Sequence, residues 1–126
     1  MQRQLSLTSL KQAAEFSWVN QKGLKKVTKN FIIIGAKPSS DSVSQFPTLE
    51  LRYGLKVSKK IFRQAVKRNK IKRQIRHMLR LFYVKACLPT HLWIIIIPRQ
   101  SFAYKNFHQL FHQFEYTINS LIKELE

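Results

Sequence analysis

Residues 52–80 read RYGLKVSKKIFRQAVKRNKIKRQIRHMLR, and two structural periods meet inside them. The first begins slightly upstream, at residue 49. Leu51, Tyr53, Leu55 and Val57 alternate with Arg52, Gly54, Lys56 and Ser58, the period of a strand with two unlike faces. From Ile71 the period changes. Ile71, Ile75, Met78, Leu79 and Phe82 recur at three- and four-residue spacing, so they line one side of a helix. Asn69, Lys72, Arg73, Arg76 and Arg80 keep the same spacing on the opposite side. Ala65 and Val66 fall out of phase with the apolar side. Residues 60–64 are therefore read as a turn leading into the helix.

Charge gives this stretch its second meaning. Residues 59–80 hold ten Lys or Arg in 22 positions and no acid. The chain as a whole carries 23 basic and 6 acidic residues, a net charge of +17. No acid lies between Leu51 and Phe114, a span with 15 basic residues. Self-repulsion on this scale destabilises a compact state unless a polyanion is the usual partner. Nucleic acid is the first reading and an anionic membrane surface the second. A helix face that is merely solvated usually mixes both signs. An unopposed cationic strip instead releases counterions when it meets phosphates, so its binding falls steeply with salt. Asn69 adds hydrogen-bond donors and an acceptor within the strip.

Composition excludes several alternatives. At 126 residues and 44% hydrophobic, the chain reads as one domain, 1–126, with its own core. Cys87 is alone, which rules out a disulfide framework or a cysteine zinc site and suits a reducing cytoplasm. Cys87 itself reads as a small core or edge residue. The first ten residues lack the apolar run of a signal peptide. The longest apolar run, 92–97, stops at Pro98 and is far too short to span a bilayer. Acids are few and scattered, so paired-carboxylate catalysis has no support. Three glycines form no phosphate-cradling loop. His108, His112 and Glu115 have metal-ligand spacing, but no general base accompanies the pair, and they are read as a solvated polar face.

Taken in order, residues 9–19 are expected to form a helix, with Ser9 and Gln12 at capping-box spacing and Gly23 offering a left-handed stop. Leu10, Ala14 and Trp18 share one side of it. Phe16 and Val19 lie on another, with Ala13 and Asn20 beside Phe16. A short strand is expected within 24–28, and a β-branched strand at 31–36, FIIIGA. A Pro/Ser loop follows at 38–48. After the basic helix come a break at 88–90, an apolar central strand at 91–97 and a turn at 98–101. Residues 104–125 carry the clearest helical stripe: Phe107, Leu110, Phe111, Phe114, Ile118, Leu121, Ile122 and Leu125. The class is α+β, a sheet with helices packed on it.

The order Gly54, Leu55, Val57, Lys59, Lys60, then Arg68, Asn69, Lys70, Lys72, Arg73 and Arg76 resembles the protein subunit of bacterial ribonuclease P. That family carries a Gly-Leu-x-Val-x-Lys-Lys strand end followed by an Arg-Asn-Arg motif. Lys70 replaces the last Arg of the motif, keeping the charge but not the planar fork. The turn at 62–65 is Phe-Arg-Gln-Ala where many members have Gly-Asn-Ala. The resemblance extends over nearly the whole chain. It implies a two-layer α-β sandwich in αβββαβα order, ribosomal-protein-like, with a left-handed βαβ crossover. It also implies a cytoplasmic subunit that supplies no catalytic group. The catalytic RNA, acting with Mg²⁺, would remove the 5′ leader of precursor tRNA, and neither DNA nor a membrane is a partner. Lys59, Lys60, Arg68, Asn69, Lys70, Lys72, Arg73 and Arg76 would meet the catalytic RNA. Ala13, Phe16, Asn20, Ile34, Arg52 and Lys56 would line a cleft for the leader. Relatives often have aromatics where Asn20 and Ile34 stand, so stacking is expected to rest mainly on Phe16. A general RNA-binding or ribosomal protein without a leader cleft is the competing reading.

Overall fold

A computed structural model describes residues 5–10, 12–38, 49–85 and 91–125. The elements are β1 (Leu5–Ser9), α1 (Ala13–Lys22), β2 (Leu24–Val27), β3 (Phe31–Ala36), β4 (Leu49–Leu55), α2 (Ala65–Lys85), β5 (Leu92–Pro98), a 3₁₀ turn (Gln100–Tyr104) and α3 (Phe107–Leu125). The sheet order is β1-β4-β5-β3-β2. β4 runs parallel to β1 and to β5, while β3 is antiparallel to β5 and to β2. Parallel neighbours need a long connection, and α2 supplies it between β4 and β5. The α+β class and the αβββαβα order both hold, with β1 added ahead of them.

Strand alternation decides which helix each side chain meets. Phe31, Ile33, Leu51, Leu92, Ile94 and Ile96 form one buried face, against Ile71, Ile75, Met78, Leu79 and Phe82 of α2 and Leu110, Phe114, Ile118 and Leu121 of α3. Phe114 sits edge-on to both Phe31 and Phe82, with ring centroids 6.2 and 6.1 Å away. On the other face, Ile34, Ala36 and Ile95 pack with Val19 of α1 and with Leu10. Thus α2 and α3 cover one face and α1 covers part of the other. β5 is central and buried from both sides, which is why residues 94–97 are four isoleucines in a row.

Several local expectations are corrected. Residues 5–9 are a strand, not the approach to a helix, and Ser9 pairs with Tyr53 instead of capping α1. Leu10 N–H then donates to Tyr53 O at 2.8 Å. The partner lies more than forty residues away, so nothing local announces it. The helix begins at Ala13, where the Glu15 carboxylate accepts Gln12 N–H at 2.9 Å, and it runs past Val19 to Lys22. Gly23 is extended, with φ −80° and ψ 157°, not left-handed. Its lack of a side chain matters for space: a Cβ there would run into the Val19 carbonyl and Ile34 Cγ2.

At the other end, Pro98 closes β5 instead of opening a turn, and α3 starts at Phe107 instead of Tyr104. The 3₁₀ turn takes up the intervening residues. Asn106 Oδ1 then accepts Gln109 N–H at 2.8 Å, a side-chain N-cap that fixes the start of α3. The break at 88–90, Cys87 and residues 39–48 of the expected loop lie outside the described residues. Among the described residues, no helix is long and apolar enough to cross a membrane.

Candidate nucleic-acid interface

The basic segment starts in the turn after β4. Ser58 holds that turn: its carbonyl accepts Phe62 N–H at 2.9 Å and its hydroxyl accepts Lys60 N–H at 3.1 Å. Phe62 is buried in the α2–α3 core, which anchors the turn and leaves Lys59, Lys60 and Arg63 in solvent. The helix then displays Asn69, Arg73, Arg76 and Arg80, all exposed, with Lys72 half-buried beside them. Opposite them the apolar stripe is in the core, so the strip faces directly away from the sheet.

Two members of the motif stand apart from that strip. Arg68 is half-buried, and its guanidinium donates to Phe62 O at 2.9 Å and Arg63 O at 2.8 Å. It ties the turn to the helix. Its position three residues before Ile71, and so beside the apolar stripe, is the sequence signal for this inward role. Lys70 is exposed on the flank it shares with Lys67, three residues earlier. Lys67 Nζ lies 5.5 Å from the ring centroid of Tyr104, itself exposed, so this flank ends in an aromatic.

The second group of residues sits across the sheet, where α1 lies over β3, β4 and β5. Ala13, Phe16 and Asn20 share one side of α1 by their spacing. Ala13 and Asn20 are exposed; Phe16 is half-buried against Gly54, where a Cβ would run into its ring. Ile34 is only 7% exposed, packed beneath α1 near Gly23, so it supports the cleft from below. Lys56 is exposed just beyond β4, and its N–H donates to Ile96 O at 3.0 Å. Arg52 donates to a Glu15 carboxylate oxygen at 2.6 Å, and its Cζ lies 4.9 Å from the Trp93 ring centroid.

The cation strip and the cleft therefore occupy opposite sides of the sheet, joined at one end by residues 55–60. Two features of the cleft are not evident from spacing: Glu15 as the partner of Arg52, and Trp93 beneath it. Trp93 reads in sequence only as one more residue of an apolar strand. Its role follows from the pairing of Arg52 with Trp93 across β4 and β5.

A cationic helix on one side, an aromatic cleft on the other and an acid-free span between place the chain among small basic α+β proteins. The family model described as Ribonuclease P matches residues 6–122. The ribonuclease P protein component of Rickettsia akari (strain Hartford) is 41% identical over 109 residues, covering 84% of this chain and 90% of that protein. That of Rickettsia prowazekii (strain Madrid E) is 37% identical over 121 residues, 94% of each. Among solved structures, a Staphylococcus aureus RNase P protein variant superposes with a TM-score of 0.72 at 26% identity, over 88% of this chain and 85% of that one. The Thermotoga maritima protein shares the fold, with a TM-score of 0.68 at 22% identity over 91% and 96%. The chain belongs to the bacterial ribonuclease P protein component family.

Proposed function

We propose that this chain is the protein subunit of ribonuclease P and that its two sides hold two RNAs. The outer strip of α2, with Asn69, Lys72, Arg73 and Arg76, and the turn cations Lys59 and Lys60 dock on the catalytic RNA. Lys70 extends this contact along the flank, and Arg68 holds the turn in place for it. The cleft under α1, with Ala13, Phe16, Asn20, Arg52 and Lys56 above Ile34, takes the single-stranded 5′ leader of precursor tRNA. The observation that carries this reading is the separation of an unopposed cationic strip from an aromatic cleft by one sheet, in a chain of this family.

The bond-breaking step belongs to the RNA. Mg²⁺ prefers oxygen ligands, chiefly carboxylates and phosphates. With no carboxylate between Leu51 and Phe114, the basic half does not fit a resident Mg²⁺ site, and the ion is assigned to the RNA. The protein screens phosphate repulsion between catalyst and substrate and so lowers the Mg²⁺ needed. A cytoplasmic setting follows from this role. Reconstitution with the catalytic RNA, followed by cleavage of a precursor tRNA across a Mg²⁺ series, tests the proposal. The expected result is faster cleavage at low Mg²⁺ and tighter binding of substrates with leaders than of mature tRNA. No gain over RNA alone refutes it.

A further inference from the structure

We infer that the cavity between the β2–β3 turn and the 3₁₀ turn takes one unpaired nucleotide of the catalytic RNA, with Lys29 and Arg99 on its phosphate and Tyr104 against its base. This rests on the reading of α2 as the RNA-docking face and carries that contact onto a part of the molecule that neither RNA site uses. Three connections leave the sheet side by side at one end: the Lys59–Lys60 turn after β4, Arg99 after β5, and residues 28–30 between β2 and β3. The Lys67–Lys70 flank of α2 reaches the same end, where Lys67 Nζ lies over the Tyr104 ring. The cations thus form a band from the α2 strip across the end of the sheet to Lys29.

A cavity of about 400 Å³ closes that band, lined by Lys29, Arg99, Gln100, Ser101 and Tyr104. Its floor is fixed. Arg99 N–H donates to Asn30 O at 2.9 Å, and the Arg99 guanidinium donates to Thr28 O at 3.0 Å. The Ser101 hydroxyl reaches Lys29 O and Asn30 Oδ1, each at 2.8 Å, while Asn30 Nδ2 donates to Gln113 Oε1 of α3 at 2.9 Å. Buried Phe102 pins the 3₁₀ turn to the core. Above this floor, neither Lys29 nor Arg99 forms an ion pair among the described residues. Tyr104 is 74% exposed, and Lys67 meets its ring from outside the cavity, so the cavity side of the ring stays open. A guanidinium fork and an ammonium suit phosphate oxygens, and an open tyrosine ring suits the base beside them. Bases within a duplex hide their faces, so the occupant is a nucleotide turned out of a loop or bulge. Gln100 offers its edge both donors and an acceptor. Continuity with α2 assigns that nucleotide to the catalytic RNA, because the leader cleft lies under α1 on the other face of the sheet.

The test uses the full chain reconstituted with the catalytic RNA. Tyr104→Leu should weaken RNA binding roughly 5- to 100-fold, the range for loss of one base stack, while Tyr104→Phe stays near wild type. Lys29→Ala should flatten the log–log salt slope by about 0.7–0.9, the share of one phosphate. Thermal melting should show all three variants folded, since both side chains are exposed. Acylation of 2′-hydroxyls along the catalytic RNA should reveal an unpaired nucleotide that the wild-type protein protects and Tyr104→Leu does not. Wild-type affinity and protection in Tyr104→Leu overturn the subsite. So does an equal loss in Tyr104→Phe, which keeps the stack. A loss confined to precursor tRNA binding by the assembled holoenzyme moves the nucleotide to the substrate and also overturns the assignment. In each case the docking role of α2 stands if Arg73→Ala combined with Arg76→Ala still weakens the complex. Failure of the wild-type chain to bind the catalytic RNA overturns both.

Discussion

Arg68 shows how one residue within a charge run can differ from its neighbours. Hydrogen bonds from a charged donor contribute about 1.5–3 kcal/mol when shielded and less when partly wet. Arg68→Ala should therefore lower the unfolding free energy by about 1–2 kcal/mol in a urea titration. Arg73→Ala, on the exposed strip, should change stability by less than ~0.5 kcal/mol and be felt only in RNA binding. Equal stability losses for both would remove the distinction. Two glycines give a parallel contrast. A Cβ on Gly54 meets the tip of the Phe16 ring, which can swing away, so Gly54→Ala should fold with a loss of about 1–3 kcal/mol and a weakened cleft. A Cβ on Gly23 meets a backbone carbonyl, which has no such freedom, and Gly23→Ala should unfold at lower urea than Gly54→Ala. Residue type and spacing located these positions in the sequence. The reason each is needed lay in what it touches, and those contacts come from segments far away in the chain.

Among the elements, α2 and α3 were the most legible because each is buried on one side only. The stripe from Ile71 to Phe82 and the one from Phe107 to Leu125 entered the same core as read. α1 was harder to read. Val19 is core, Phe16 and Trp18 are partly covered, and one helical wheel cannot say which partner each meets. β1 was missed for a related reason, since a short strand takes its meaning from the strand beside it. The α2 strip carries a prediction of its own. Each phosphate neutralised adds roughly 0.7–0.9 to the magnitude of the log–log salt slope. Arg73→Ala combined with Arg76→Ala should thus flatten the slope for catalytic RNA by roughly 1.4–1.8, measured by filter binding across a salt series. An unchanged slope would mean that the RNA sits elsewhere. In α3, Phe114→Ala opens a void among Phe31, Phe82 and their neighbours and should cost about 3–5 kcal/mol in chemical unfolding.

At the scale of the whole molecule, a net charge of +17 acts against the fold until something screens it. Added sodium chloride should raise the melting temperature of the free protein while weakening its RNA complex, because screening relieves self-repulsion and also removes the counterion-release drive. A melting temperature that falls with salt would contradict this account. The class and the order of the elements after β1 were legible from period. Strand order was not: β4 lies between β1 and β5, and β5 between β4 and β3, so the β1–β4 and β5–β3 pairs join strands that are not consecutive in the chain. That order has a consequence for synthesis. Of the described strands β5 is the last to be made, yet it is the one that bonds to both β3 and β4. Among the described strands, a nascent chain still short of residue 92 can pair only β2 with β3 and β1 with β4, with nothing between the two pairs. The domain must therefore close late, after most of its polypeptide has left the ribosome.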